Sequence, residues 1–290
     1  MKTLNQHILF LKHLSFFFLL GFFTNNSHGQ NTQHEISVIA LGGGFSTMSY
    51  DLDQGKVNKR LGASFGFRYA YYLNNQWSLG LGVDYQSYNA SASLGNVKGA
   101  YKTTDFENED FEFRYTAENY KEEQWLKYLN LPITAQYETL GENTRFYISA
   151  GTKLGFPLKG KYQTSANAIT TSGYYSQYDA ELFDPAFAGF GTYGTQETNK
   201  EELDIKLSYS AIIETGIKQK IAEHSSIYVG VYFDYGINSI IDSQDQTRQL
   251  VEYDAEDPVN FKYNSVFDSG IAKDMRLISY GIKLRYASKM

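Results

Sequence analysis

Segments in which apolar and polar residues alternate recur along this chain, and the connections between them are by turns short and long. The clearest is Tyr280-Gly281-Ile282-Lys283-Leu284-Arg285-Tyr286. One parity reads Tyr280, Ile282, Leu284, Tyr286 and the other Gly281, Lys283, Arg285. A strand sends alternate side chains to opposite faces, so this segment has one apolar and one charged face. In a soluble sheet the apolar face meets a core. In a transmembrane barrel it meets lipid, and the lumen takes the charges.

Candidate strands are 35–50, 60–73, 77–92, 124–138, 145–163, 204–221, 226–240 and 275–286. The links at 74–76, 139–144 and 222–225 are short, and that at 51–59 is modest. Those at 93–123, 164–203 and 241–274 are far longer than the ~15 residues that structureless loops of compact domains rarely exceed. Long loops confined to one end, with short turns at the other, are the pattern of an outer-membrane barrel, and an even strand number returns both termini to the periplasmic side. The expected fold is all-β: an eight-stranded antiparallel up-and-down transmembrane β-barrel with long extracellular loops.

Facing supports this. Trp77, Leu79, Leu81, Val83 and Tyr85 share one parity; Ser78, Gly80, Gly82 and Asp84 share the other. Phe65, Phe67, Tyr69 and Tyr71 oppose Ser64, Gly66, Arg68 and Ala70 in the same way. The first strand is apolar on both parities, and Ile212 breaks the pattern in 204–221. The inward parity carries Arg68, Asp84, Lys153, Glu214, Lys218, Asp234, Lys283 and Arg285. An eight-stranded barrel is just wide enough for its own side chains. Buried charges are costly unless paired, so an interlocked salt-bridge network without a continuous water channel is expected. On the outer parity Tyr71, Trp77, Tyr137, Phe146 and Tyr286 flank the short turns or the last strand's end, as a periplasmic aromatic girdle would.

The N-terminus supplies an address. Lys2 and Lys12 precede the apolar run Leu14–Phe23, and Ser27-His28-Gly29 offers small residues for cleavage before Gln30. This is the pattern of a secretory signal peptide over residues 1–29, leaving 30–290 as the barrel domain. The apolar run is too short to span a ~30 Å bilayer as a helix. The sequence contains no cysteine, which excludes both a lipid-modified cysteine and disulfides. The formal charge of −6 becomes −8 without the two leader lysines, which gives no support to nucleic-acid binding. Tyrosine and glycine, 25 each beside four prolines, favour β structure.

Motifs for chemistry are sparse. Gly189-Phe190-Gly191-Thr192-Tyr193-Gly194 fits G-x-G-x-x-G but lies in a long link, not between a strand and a helix. Asp51-Leu52-Asp53-Gln54-Gly55 lacks the distal Glu of a calcium loop and reads as a solvated turn. Residues 105–123 are rich in Asp and Glu and read as an exposed loop. Tyr174, Tyr175 and Tyr178 are candidate contact residues of the next long link. Beyond residue 29 the histidines are His34 and His224, both near the periplasmic end. No catalytic, cofactor-binding or metal site is therefore assigned, and the chain is expected not to be an enzyme.

The run Tyr128-Leu129-Asn130-Leu131-Pro132-Ile133, with the Gly-rich Leu79–Tyr85 strand and the terminal Tyr280–Tyr286 strand, resembles small outer-membrane β-barrels of the Bacteroidetes type. These include PorT-like proteins and the transmembrane half of the outer-membrane protein A group. The resemblance implies a bacterial outer-membrane location and a non-enzymatic role in adhesion, complex assembly or envelope integrity. Its alternatives are a PorT-like component of a secretion apparatus or a narrow transport pore. Two departures stand out: Ala287-Ser288-Lys289-Met290 follow Tyr286, and no peptidoglycan-binding domain is expected after the barrel. The expected partners are outer-membrane lipid, and lipopolysaccharide or other envelope proteins met through 93–123, 164–203 and 241–274. Pro132 implies either a bulge or a strand break.

Overall fold

The computed structural model describes residues 34–41, 45–241 and 248–290; the expected signal peptide lies outside them. The first stave of the wall is β1 (His34–Leu41) with β2 (Phe45–Leu52), and β3 (Lys56–Lys59) is a short side strand. Then come β4 (Ala63–Tyr72), β5 (Trp77–Thr104), β6 (Asp110–Glu138) and β7 (Thr144–Ala166). Short strands β8 (Ala168–Tyr175), β9 (Ala180–Leu182), β10 (Gly191–Tyr193), β11 (Gln196–Glu197) and β12 (Glu201–Glu202) precede β13 (Ser208–Lys220) and β14 (Ser225–Gly236). A separate hairpin, β15 (Val251–Glu252) with β16 (Lys262–Tyr263), leads into β17 (Ala272–Lys289).

Antiparallel pairing runs β1–β4–β5–β6–β7–β13–β14–β17 and back to β1, so eight staves close a ring. From Ile36 the registers lead through Tyr69, Leu81, Ile133, Thr152, Ala211, Tyr235 and Ile278 to Thr47, well up the stave from the starting residue. That stagger is the shear that strand tilt in a closed barrel requires. Closure leaves the eight staves without a free edge.

Short turns gather at one rim. Asn74 Oδ1 accepts from the N–H groups of Gln76 and Trp77 at 2.9 and 2.8 Å, which closes the first turn with a side chain. Thr139 does the same for the second, its Oγ1 accepting from Phe146 N at 3.0 Å. Met290 N donates to His34 O at 2.8 Å, so both ends of the described chain lie at this rim.

Two features of the first and fourth staves are resolved by register. Odd residues Glu35, Ser37 and Ile39 are buried in β1, but even residues Ser46, Met48 and Tyr50 are buried in β2. The pairing against β17 shifts by one residue between them, so a single parity cannot describe 35–50. Pro132 makes neither a bulge nor a break. Ladder pairing with β5 lapses between Leu81–Ile133 and Asp84–Asn130 and resumes without a change of register. Gly82 faces the proline ring there and leaves it room.

The expected long loops are corrected. β5 and β6 stay paired as far as Thr104–Asp110, so 93–123 is mostly a two-stranded continuation of the wall with a tip at 105–109. β8 adds a third strand to it by pairing with β6. Alternation persists throughout: Phe111, Phe113, Tyr115 and Ala117 are buried, while Asp110, Glu112, Arg114 and Thr116 face outward. Of the acids that resemble a solvated loop, Asp110, Glu112, Glu118 and Glu123 lie on the outer face of β6, whereas Glu122 is buried. Gly95 and Asn119, both at positive φ, mark an irregularity in this ladder. In the third link Leu250, Val251, Tyr253, Val266 and Phe267 turn inward and join Tyr50, Phe111, Phe113 and Tyr120 in one apolar cluster. That segment is a cap and not a free loop.

Candidate functional site

Charged and hydroxylated side chains fill the lumen in layers. Nearest the short-turn rim, Lys218 Nζ lies 2.9 Å from Glu35 Oε2 and 3.2 Å from Glu138 Oε1, and donates to Tyr72 Oη at 2.8 Å. The Tyr72 hydroxyl donates to Glu138, and Tyr228 donates to Glu35 at 2.8 Å. Neither carboxylate stands in the sequence-derived set, because each sits at the end of its strand. Continuing the inward parity by one step, from Ser37 to Glu35 and from Gln136 to Glu138, would have found both.

Above this layer, Lys283 pairs with Glu214 at 2.8 Å, and Tyr147 donates to the same carboxylate at 2.7 Å. Arg285 stacks 3.8 Å from the centre of the Tyr228 ring and donates to Gln136 at 2.9 Å. Arg68 lies in the space left by Gly80, where a Cβ would overlap its guanidinium. The next layer joins Lys153 to Asp234 at 2.6 Å and to Gln86 at 3.0 Å. Asn130 donates to Asp84 at 2.7 Å.

Of the eight predicted charges, two pairs meet directly, Lys153–Asp234 and Lys283–Glu214. Lys218 pairs outside that set, and Arg68, Asp84 and Arg285 are held by neutral partners. With Glu35 and Glu138 added, cations and carboxylates balance, which limits the cost of burial. A cavity of ≈ 40 Å³ remains among Arg68, Asp84, Lys153, Glu214, Asp234 and Lys283. That volume holds a few water molecules at ~10–15 Å³ each.

The outer face inverts this chemistry. Phe67, Leu79, Leu81, Ile133, Ile148, Ile213, Val231 and Ile282 are exposed around the ring. At the short-turn rim stand the five girdle candidates. Trp77 and Tyr137 pack with ring centres 5.2 Å apart, Tyr71 packs 5.5 Å from His34, and Tyr286 shares a 3.0 Å hydrogen bond with Ser225. Phe146 is exposed beside its turn. A second row, Tyr85, Tyr209, Tyr235 and Tyr280, marks the far side of the apolar band. The sequence reading missed that row, although each member has outer parity at the end of an apolar run. From Trp77 to Tyr85 a tilted strand rises about 20 Å, close to the apolar band of an outer-membrane barrel.

Beyond the band the cap is anchored by a buried acid. Glu122 accepts from Val266 N at 2.8 Å, Ser265 Oγ at 2.9 Å and Gln124 Nε2 at 2.9 Å. Burial nevertheless lifts its carboxyl to about 7. The three candidate contact tyrosines divide. Tyr175 is buried, stacked on Phe111 and hydrogen-bonded to Asp105 at 2.8 Å; Tyr174 carries Arg114 on its ring. Tyr178 stays exposed and joins Phe106, Phe183, Phe187 and Val259 among the exposed apolar residues of the distal connections.

The Gly189–Gly194 motif is structural. Gly189 caps a short 3₁₀ turn at positive φ and lies against Pro258 O, while Gly191 pairs with Thr171. Asp53 of the 51–55 turn pairs with Lys273 at 3.2 Å. His34 hydrogen-bonds Tyr69, and His224 accepts from Lys289 N through its carbonyl, both at the short-turn rim. Among the described residues no group of three or more His, Cys, Asp or Glu is arranged to hold a metal ion.

Three solved structures are among those this chain is similar to. Neisserial surface protein A is 13% identical, with a TM-score of 0.34, covering 87% of this chain and 95% of its own. Ail, the attachment invasion locus protein of Yersinia pestis, solved with the heparin analogue sucrose octasulfate, is 11% identical with a TM-score of 0.32, covering 89% and 99%. The outer-membrane protease OmpT of Escherichia coli is 10% identical with a TM-score of 0.28, covering 92% and 99%. No curated protein matches the sequence. The profile of the outer membrane protein beta-barrel domain family matches residues 17–242. This chain therefore belongs to that family and is a protein of the bacterial outer membrane.

Proposed function

We propose that this protein is a non-enzymatic outer-membrane barrel that uses its rigid extracellular extension to engage another macromolecule, in adhesion or in assembly of an envelope complex. One observation carries the reading. The wall does not end in free loops: β5, β6 and β8 continue above the apolar band, are packed from inside by the cap, and bear exposed Phe106, Tyr178, Phe183 and Phe187 on their distal connections. Large exposed apolar groups that close no core of their own are characteristic of contact surfaces.

The filled lumen counts against a pore, and a purified barrel in planar bilayers should show no unitary conductance. Both histidines among the described residues lie at the end away from these connections, which speaks against a histidine-dependent site there. The PorT-like reading rests on Tyr128–Ile133 together with the Leu79–Tyr85 and Tyr280–Tyr286 strands, and the first of these runs has duties within this wall. Tyr128 donates to Lys206 O at 2.8 Å, Asn130 holds Asp84, and Leu129 and Ile133 are exposed in the apolar band.

The test is crosslinking in intact cells from a photoreactive residue at Phe183 or Phe187, with the same probe on lipid-facing Val231 as control. A discrete product from the distal positions alone supports the proposal. Equal labelling from all three positions removes it.

A further inference from the structure

Just beyond the apolar band, the outer face of β6 and β7 carries a row of cations. Lys127 follows Leu129 by one outward step and stands directly across from Lys159. Like charges directly opposite in a sheet destabilise the pair. Both ammonium groups are exposed, and neither has an ion-pair partner among the described residues. Trp125, the next outward residue of β6, carries Lys200 at 4.1 Å from its ring centre. Lys121 lies two outward steps further, across from Ser93 on one side and Ser165 on the other.

Above this row opens a groove of ≈ 550 Å³, lined by Lys59, Arg60, Ser91, Lys121, Glu123 and Gln163 among others. Two acids line it as well. Glu123 pairs with Arg60, and Glu197 accepts from Gln163 at 3.0 Å. Lys59, Arg60 and Lys121 outnumber Glu123 and Glu197, so the groove carries a positive excess beside its hydroxyl and amide groups.

The height of the strip selects the ligand. The apolar band ends at Leu129 and Tyr85, so Lys127, Lys159 and Trp125 stand at the level of the lipid headgroups of the outer leaflet. Phosphate oxygens there would accept from the ammonium groups, and an indole suits that boundary. We propose that this strip and groove bind the phosphorylated sugar headgroup of an outer-leaflet glycolipid. Lys127 and Lys159 take one phosphate, Lys59 and Lys121 take a second, and Ser91 and Gln163 meet sugar hydroxyls. The site is separate from the distal contact surface and does not depend on it.

The chain contains two tryptophans, so Trp77→Phe leaves Trp125 as the single indole reporter beside the strip. This protein, reconstituted in phosphatidylcholine vesicles, is titrated with diphosphoryl lipid A, dephosphorylated lipid A or phosphatidylglycerol. Saturable change in Trp125 emission is expected with diphosphoryl lipid A, and weaker binding by about ten-fold or more with the other two. Adding K121Q, K127Q and K159Q should cost about ten-fold or more in affinity, since each lysine near an anionic surface contributes about a factor of five. Retained heat-modifiability on gels verifies folding, and K159Q alone, with a several-fold loss, serves if the triple variant does not fold. Equal response to dephosphorylated lipid A or to phosphatidylglycerol would overturn the proposal. So would lysine variants, folded, that bind as tightly as their parent.

Discussion

The lower and upper halves of this wall are made by the same strands and obey opposite rules. Between the two rows of aromatics, β5 and β6 send Leu79, Leu81, Leu129 and Ile133 outward and Asp84, Asn130 and Gln136 inward. Above Lys127 the same β6 sends Phe111, Phe113 and Tyr115 inward and Asp110, Glu112 and Arg114 outward. What differs is the solvent. In lipid the apolar face is the outer one, and the lumen can hold charge if the charges are paired. In water the apolar face must be covered, and the cap with Leu250, Val251, Tyr253 and Phe267 covers it. One continuous strand can serve both because alternation itself does not specify which face is wet.

The sharpest way to break the comparison is to remove a charge below and a ring above. Lys218→Met removes the cation shared by Glu35 and Glu138, leaving Glu138 only Arg145 at 3.4 Å and Glu35 no ion pair among the described residues, and should cost about 3–5 kcal/mol. The check is the urea midpoint of the barrel in detergent, with loss of heat-modifiable migration at moderate denaturant. Phe113→Ala empties the centre of the upper cluster and should cost about 3 kcal/mol. Its effect should stay local: faster hydrogen exchange in 248–271 and the 105–109 tip, with the barrel's heat resistance retained. A lower half that melts together with the upper one would show that the two are a single cooperative unit.

Val231→Arg places a charge on the lipid face at mid-band and should destabilise by about 2–4 kcal/mol in bilayers. An arginine on an outward position of the upper half, such as Thr116, should cost almost nothing, and refolding yields compare the two.

The smallest expected effect is a pH dependence of the cap. The Glu122 carboxyl, facing Tyr50, Tyr120, Tyr162 and Asp268, is held protonated up to about 7, above the ordinary carboxylate range. Docking is therefore fully favoured below that ordinary range and weakens as pH rises through 7. Exchange in 248–271, corrected for the intrinsic rate, should be faster at pH 8 than at pH 5, and Glu122→Gln should flatten the difference.

Much of the ring was legible because alternation of period two is written residue by residue. It located every stave, the upper ends of β5 and β6 excepted, to within a few residues, and put Arg68, Lys153 and Lys283 inside. It failed where a local irregularity changes the parity, as between β1 and β2, and where acids on one strand face mimicked a loop, as at Glu112 and Glu118. It also stopped one step short of Glu35 and Glu138.

The sequence by itself determined which side chains share a face, how many staves there are, and at which end the short turns lie, since all three follow from neighbours along the chain. Only the tertiary structure decided which charges meet, that the long links prolong the wall, and that 248–271 folds in as a cap. Those depend on residues far apart in sequence: Lys218 finds Glu35 across 183 positions, and Glu122 finds Val266 across 144. Register and stagger around a closed ring bring such residues together, and a single strand's pattern carries neither.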